Sequence, residues 1–258
     1  CAAACPTGAH KIVDGVHRFD RAKCIACGKC ESVCFADALI FYGKRATAEE
    51  LLPKLLEDKA FYDHSGGGVT LSGGEPLLQP EFLADLFRAM HNNPDGRVHT
   101  CLDSCGYAFD PQHPEKFDAV LNETDMVLLD IKHADPVEHK RLTGCDPARI
   151  LAFGDELARR RIKVVIRHVV VPGITDTVEE CEALGRLIAP WHNVVGLEML
   201  PYHTMGVVKY EQLGIPYKLE GVPQMDTARM PELRNAVMTG MKENSKTPSA
   251  SSTHWGQT

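Results

Sequence analysis

The chain has 258 residues, enough to bury a sizeable hydrophobic core as one barrel-like domain or as one domain with a small module. Its hydrophobic content of 44% and charged content of 24% are ordinary for a soluble globular protein. A net charge of -7 argues against non-specific binding to nucleic acid, which needs a basic surface. The sequence contains no run of about 18 uncharged apolar residues, so it predicts no membrane span. We therefore expect a cytoplasmic enzyme that acts on a small molecule or a protein.

The first 34 residues contain six of the ten cysteines. Four of them form the pattern C-x2-C-x2-C-x3-C, which is the spacing of a cluster-binding run in bacterial ferredoxins. The pattern C-x3-C-P at the start of the chain matches the end of a second such run. The same offset of 29 residues separates Cys1 from Cys30 and Cys5 from Cys34, which indicates a duplication.

In two-cluster ferredoxins the fourth cysteine of each run ligates the other cluster. We therefore expect one 4Fe–4S cluster on four of these thiolates, with two further cysteines as ligands of a second, incomplete cluster. A zinc site is the alternative, although four cysteines so close together do not suit an ordinary zinc ribbon. The expected ligands of the first cluster are Cys5, Cys24, Cys27 and Cys30, and those of the second are Cys1 and Cys34.

From about residue 47 the pattern changes to alternating strands and helices. The predicted strands are Val69–Ser72, Val98–Asp103, Met126–Ile131, Val164–Val171 and Val194–Leu200. The predicted helices are Ala48–Lys59, Glu81–His91, Pro136–Leu142, Pro147–Arg160 and Val178–Ile188. Such alternation predicts an α/β fold with a parallel sheet and crossover helices, and both an open doubly wound sheet and a barrel satisfy it. The last residues, 244–258, are rich in Ser and Thr and predict a disordered tail.

Polar residues follow the predicted strands at their C-terminal ends, where active sites of parallel α/β proteins form. They are Glu75, Asp103, Asp130, Lys132 and His203, and Arg167 lies within a strand. Solvated strand ends are the alternative for any one of them, but not for the whole set. In Ser72-Gly73-Gly74-Glu75-Pro76, two glycines allow a ligand to approach the backbone, and the carboxylate can receive an ammonium group. Arg167 needs an acidic partner if it is buried, and Glu75 and Asp130 are the candidates.

Five ordered segments together resemble the pyruvate formate-lyase activating enzyme family of the radical S-adenosylmethionine (SAM) superfamily. They are FYDHSGGGVTLSGGEPLLQPEF, HTCLDSCGYA, VLLDIKHAD, VVIRHVVVPGITD and MLPYHTMGVVKY. With the cysteine-rich segment, the chain is similar to the subfamily that has an inserted two-cluster ferredoxin-like domain. This resemblance implies a ferredoxin-like module over residues 1–40 and a partial (β/α)6-type barrel over 47–243 that lacks its first strand.

The resemblance also implies a SAM site. Gly73, Gly74 and Glu75 would bind the methionyl amino group, Lys132 the carboxylate, and His203 the ribose or adenine. The full set implied to contact SAM is Gly73, Gly74, Glu75, Asp130, Ile131, Lys132, Arg167 and His203. A monovalent cation beside the SAM carboxylate would use Asp103, Ser104, Asp130 and the backbone of Leu128, although Cys105 stands where the best-known member of the family has Asn.

In this family, SAM on a reduced 4Fe–4S cluster is cleaved to a 5′-deoxyadenosyl radical, which abstracts hydrogen from a glycine of a partner glycyl radical enzyme. The C-x3-C-x2-C motif for that cluster does not occur in the chain. We therefore expect an N-terminally truncated and inactive fragment of a protein with up to three clusters, reduced by flavodoxin or ferredoxin. An iron–sulfur electron-transfer protein and a radical SAM enzyme with a small-molecule substrate are the alternatives. The first of these leaves the polar strand ends unexplained.

Overall fold

The computed structural model describes residues 1–41 and 43–244. The described residues form two compact units, which divide between Ala46 and Thr47. The predicted disordered tail lies outside the described residues, apart from Asn244, which ends the last helix. None of the helices in the described part of the chain is long and apolar enough to cross a membrane.

The first unit contains an antiparallel hairpin of β1 (His10–Val13) and β2 (Val16–Phe19), which the sequence analysis did not predict. Asp14 and Gly15 connect the strands with φ angles of 51° and 76°, as an Asp-Gly hairpin turn requires. A 3-10 turn at Arg21–Lys23 and the short helix α1 (Lys29–Ser32) follow. These small elements leave the cysteine-bearing loops as most of the unit.

The second unit is built on a five-stranded sheet in which every neighbouring pair is parallel. Its strands are β3 (Gly68–Leu71), β4 (His99–Ser104), β5 (Met126–Asp130), β6 (Lys163–Val170) and β7 (Val194–Pro201). The strands follow one another in chain order, without the reversal that a doubly wound sheet contains. The α/β prediction is confirmed, and the order selects barrel-type winding over the doubly wound alternative.

Helices precede the sheet, connect its strands and follow it. They are α2 (Ala48–Leu55), α3 (Lys59–Ser65), α4 (Pro80–His91), α5 (Asp118–Asn122), α6 (Pro136–Thr143), α7 (Ala148–Arg160), α8 (Val178–Ile188), α9 (Val207–Leu213) and α10 (Met230–Asn244). Those between the strands are α4 to α8. Short 3-10 turns occupy Pro76–Leu78, Pro114–Phe117, Thr204–Gly206 and Thr227–Arg229.

One predicted helix, Ala48–Lys59, is wrong in its extent. A capping box between Thr47 and Glu50 starts α2, which ends at Leu55, and a second helix, α3, begins at Lys59. The spacing of the leucines predicted the start of α2 correctly. The predicted helix ran on to Lys59, past the turn that separates α2 from α3. The helices α5, α9 and α10 were also not predicted.

The two faces of the sheet differ in chemistry because side chains alternate along each strand. Leu102, Leu129 and Ile166 are fully buried in the main hydrophobic core. The intervening residues Asp103 and Arg167 are only partly buried on the other face. The sheet therefore places charged groups opposite the helix-covered core.

Helices α8 and α10 pack closely because glycines lie at their contact. A Cβ atom on Gly185 would lie 2.1 Å from the carbonyl oxygen of Val237, and one on Gly240 would lie 2.0 Å from that of Glu182. We expect Gly185→Val to lower the free energy of unfolding by about 1–3 kcal/mol, since the backbones must separate. Chemical denaturation measures the loss.

Gly206→Ala is the control for this prediction, because a Cβ atom there meets nothing within 4 Å. An unchanged stability of Gly185→Val would contradict the close helix contact.

Candidate active site

The turn after β3 joins the tip of β4 through the carboxylate of Glu75. Its Oε1 atom accepts hydrogen bonds from the hydroxyl of Ser104 at 2.6 Å and from the amide of Leu77 at 3.1 Å. Its Oε2 atom accepts from the amide and the thiol of Cys105 at 2.9 and 3.0 Å. Both oxygens therefore have donors from the protein itself, and the carboxylate holds two strand tips together. A contact of Glu75 with the SAM amino group stays a prediction.

The two glycines of the same turn are exposed. Gly73 has a φ angle of 146°, which favours glycine, and a Cβ atom at either Gly73 or Gly74 would meet nothing within 4 Å. Their backbone therefore leaves space beside it, and the binding of a ligand there stays a prediction.

Cys105 is a protonated thiol in this arrangement. Burial and the hydrogen bond to the Glu75 carboxylate raise the pKa of Cys105 to about 11. The thiol therefore keeps its proton near neutral pH and donates a hydrogen bond to Glu75. The sequence analysis assigned no partner to Cys105, so this contact with Glu75 was missed.

Arg167 links three strands across the polar face of the sheet. Its Nη1 atom donates to both oxygens of Asp103 on β4 at 3.0 and 3.1 Å. Its Nε atom lies 3.2 Å from Glu198 Oε2 on β7, although without hydrogen-bond alignment. Burial opposes the charge of Arg167, but the charges of Asp103 and then of Asp130 and Glu198 raise its pKa. The candidate partner Asp130 therefore acts on Arg167 through its charge alone. The candidate Glu75 was wrong, because the long side chain crosses β5 and forms its direct ion pair with Asp103, two strands away.

Lys132 and Asp130 form a separate ion pair, with Lys132 Nζ 3.1 Å from Asp130 Oδ2. Ile131, between them, is buried on the other side, and its amide donates to the carbonyl oxygen of Arg167 at 3.0 Å. Of the predicted residues Asp130, Ile131 and Lys132, the first and the last therefore present charged groups at the end of β5. Ile131 offers only its backbone and its packing.

The residues predicted to hold a monovalent cation have other partners. The Ser104 hydroxyl donates to Glu75, while Asp103 accepts from Arg167 and from the hydroxyl of Ser72 at 3.1 Å. Asp130 pairs with Lys132. The sequence placed these residues at neighbouring strand ends correctly, but it did not show that their charges are already balanced by the protein.

A cavity of about 490 Å³ lies beyond the ends of β6 and β7. Lys132 is part of its wall, with Val169 and Val171 from the end of β6 and three tyrosines from the chain after β7. Tyr202 and Tyr217 share a hydrogen bond of 2.6 Å between their hydroxyls. His203 follows Tyr202, which is in the cavity wall, and its side chain is exposed. The structure does not assign it a role.

In the first unit, one small cavity is lined by all four cysteines predicted to hold the first cluster, Cys5, Cys24, Cys27 and Cys30. The amides of Ala9 and Ala26 donate to the sulfurs of Cys5 and Cys24 at 3.2 and 3.4 Å. A hydrogen bond with the Thr7 hydroxyl, followed by one from the His10 backbone, lowers the pKa of Cys5 to about 7. Thiolates that accept amide hydrogen bonds are suitable ligands for iron–sulfur clusters.

The two cysteines predicted for the second cluster do not line this cavity. The Cys34 sulfur accepts from the amide of Ala38 at 3.3 Å, and this hydrogen bond lowers the pKa of Cys34. The ligand atoms of Cys1, His10 and His17 lie within 4.8 Å of one another. The sequence analysis did not anticipate these histidines.

The model of the radical SAM superfamily matches residues 24–186, and the chain belongs to this superfamily. Among its relatives, the pyruvate formate-lyase-activating enzyme of Clostridium pasteurianum is 44% identical over 191 residues, which are 74% of this chain and 77% of that protein. The enzyme of the same name from Staphylococcus epidermidis is 44% identical over 73% of this chain and 75% of that protein. The chain is therefore a member of the pyruvate formate-lyase-activating enzyme family.

Solved structures support the fold. A domain of a pyruvate-formate lyase-activating enzyme from Bacteroides vulgatus has a TM-score of 0.54 at 21% identity, covering 68% of this chain and 95% of that one. A radical SAM methyltransferase from Sphaerobacter thermophilus has a TM-score of 0.52 at 15% identity, covering 76% of this chain and 55% of that one. At these identities the likeness concerns the fold alone.

The different pKa values of two cysteines give a test of the site geometry. At pH 8 the metal-free chain should be alkylated rapidly at Cys5, whose pKa is about 7, and slowly at Cys105, whose pKa is about 11. Only the thiolate reacts, and roughly one Cys105 in a thousand is ionised at that pH. Glu75→Gln should accelerate the reaction of Cys105, because it removes a neighbouring negative charge. Mass spectrometry of peptides measures both rates.

Cys181 is the internal control, since burial raises its pKa to about 12 and it does not contact Glu75. Equal alkylation of Cys105 in the two proteins would show that its thiol does not bond to Glu75.

Proposed function

We propose that this chain binds SAM at the C-terminal edge of β3–β7 and belongs to an activase of glycyl radical enzymes. The chemistry, supplied by SAM with a reduced 4Fe–4S cluster, is cleavage to a 5′-deoxyadenosyl radical that takes hydrogen from a glycine of the partner. The names of the relatives make pyruvate formate-lyase the first partner to test. One observation carries the proposal: open glycine backbone, a lysine and an apolar cavity follow strands of one sheet edge.

The residues of this edge suit different parts of SAM. The exposed backbone at Gly73 and Gly74 allows close approach of the methionyl amino group. The ammonium group of Lys132 suits the carboxylate, since it is about one-third exposed and its neighbour Asp130 keeps it at the strand end. The apolar and tyrosine walls of the cavity suit adenosine, and His203 is the chain neighbour of Tyr202 in that wall.

Arg167 has a different part in this proposal. Its ion pairs with Asp103 and Glu198 cross the polar face of the sheet and fix the surface below the ligand. A charge-bearing cofactor then meets an electrostatic environment that is already set, without reorganisation during the reaction. A monovalent cation would draw on Asp103, Ser104 and Asp130, and it must share their oxygens with the bonds that they already make.

We also propose that the first unit is a ferredoxin-like module of an inserted two-cluster domain. The thiol set around the small cavity fits a 4Fe–4S cluster held by Cys5, Cys24, Cys27 and Cys30. Cys1 and Cys34 would serve the second cluster. The module would relay electrons from flavodoxin or ferredoxin or dock the partner protein, and a variant that fails only with a protein reductant would select relay.

The SAM site is tested by Lys132→Met, which keeps the side-chain length and removes the charge. Because the chain contains no C-x3-C-x2-C motif, the measurement is binding rather than turnover. We expect the Kd for SAM, measured by isothermal titration calorimetry, to rise about 10- to 100-fold, the usual value of a hydrogen bond to a charged group.

Lys163→Met is the matched control, because Lys163 begins β6 at the opposite edge of the same sheet and is exposed. The proposed site is wrong if the wild-type chain does not bind SAM, or if both variants bind it equally well.

The cluster assignment is tested by reconstituting the chain with iron and sulfide. Cys24→Ala should lose the charge-transfer absorption and iron of the first cluster, while Cys34→Ala should keep them, since Cys34 does not line the cavity. Stable binding of zinc without such absorption would favour the tetrahedral zinc alternative. Equal iron loss in both variants would contradict the proposed division of ligands.

A further inference from the structure

The segment after β5, residues 131–135, carries Lys132 between two buried neighbours. Ile131 is 2% exposed and His133 is 7% exposed, whereas the side chain of Lys132 is 34% exposed. This alternation directs the neighbours into the protein and the lysine toward the candidate site. The position of the ammonium group therefore depends on what holds the residues on either side.

On the N-terminal side, His168 holds the segment. Its Nδ1 atom lies 2.7 Å from the carbonyl oxygen of Ile131, and the ring is completely buried. A carbonyl oxygen only accepts, so Nδ1 carries the proton and donates it. Burial lowers the pKa of His168 to about 4, which keeps the ring neutral, and its Nε2 atom has no hydrogen-bond partner within the described part of the chain. The ring thus makes one bond, and that bond goes to Ile131.

On the C-terminal side, Glu180 of α8 holds the segment. Its Oε1 atom accepts from the amide of Ala134 at 2.6 Å and lies 3.0 Å from His133 Nδ1. The side chain of Glu180 is 11% exposed, and burial raises its pKa. A largely buried carboxylate placed against a loop amide costs desolvation energy, which this bond must offset.

We propose that His168 and Glu180 are positioning residues that fix Lys132 for the carboxylate of SAM. The inference rests on the proposed function and adds two residues that contact no part of the ligand. His168 reaches the segment from the sheet and Glu180 from a helix. Together they hold Ile131, immediately before Lys132, and Ala134, two residues after it. Among the residues that the structure describes, Lys132 itself is oriented by the ion pair with Asp130 alone.

Two pairs of variants test the role. His168→Phe keeps a ring and removes the N–H donor, whereas His168→Asn retains a donor close to the position of Nδ1. Glu180→Ala removes the acceptor, whereas Glu180→Gln retains a carbonyl oxygen for the Ala134 amide. We expect H168F and E180A to raise the Kd for SAM about tenfold, and H168N and E180Q to restore most of the affinity.

Asn193→Leu is the matched control. Asn193 is buried and donates to the carbonyl oxygen of Ile162 at 2.6 Å, the same kind of contact at the opposite edge of the sheet. Its loss should lower thermal stability without changing the Kd for SAM. If H168F does not fold, the Glu180 pair still decides the question, because Glu180 lies on a helix outside the sheet.

Hydrogen exchange of residues 131–135 separates this inference from the proposed function. Faster exchange there in E180A and H168F, but not in N193L, supports the positioning role of His168 and Glu180. This holds even if the wild-type chain binds no SAM, because that result would reject the SAM site alone. Unchanged exchange would overturn the inference. SAM affinity that is equal in E180A and wild type, or that falls equally in N193L, would also overturn it.

Discussion

The candidate site depends on one constraint, the chain-order winding of five parallel strands. Parallel strands that follow one another in sequence bring every C-terminal end to one edge. The helices return the chain along one face, so that face must be apolar, and Leu129 and Ile166 are fully buried there. The other face is free of that demand. It can therefore carry Asp103 and Arg167, whose charges would be costly in the core.

The charges on this face satisfy one another before any ligand arrives. Arg167 meets Asp103 across β5 and Glu198 on the adjacent strand, and Lys132 meets Asp130. Partly buried ion pairs of this kind contribute little net stability, because desolvation offsets much of the attraction. Their effect is geometric: they fix where positive and negative charge lie at the strand ends. The proposed charged ligand would then meet a surface that needs little rearrangement.

Much of this arrangement could be predicted from the sequence. Short apolar runs separated by amphipathic segments gave all five sheet strands within a residue or two, and the residues after them gave the polar edge. The order of the strands in the sheet could not be predicted, since a barrel and a doubly wound sheet have the same hydrophobic periodicity. The partners of Arg167 were missed for a related reason: sequence indicates which strand end a residue occupies, but not how far a long side chain reaches across the sheet.

Other features were missed because their signals are weak. The hairpin of β1 and β2 has strands of four residues, too short for periodicity, although Asp14-Gly15 is a recognisable turn signal. His168 lies in an apolar run and has the pattern of a core residue, which it is; its polar contact depends on the tertiary position of the Ile131 carbonyl. Glu180 follows the helix cap Thr177 and resembles an ordinary first-turn acid.

At the candidate site, adjacent residues with opposite orientations therefore have different roles: one is the more exposed and the other is held inside the protein. On β6, Arg167 faces the polar surface, while His168 turns to the interior and holds the loop after β5. In the turn after β3, Gly73 and Gly74 leave backbone open, while Glu75 ties that backbone to β4. In the first place the buried residue fixes the loop that carries Lys132, and in the second Glu75 fixes the exposed glycine backbone. Rigid support from buried polar contacts is what gives exposed groups a defined geometry.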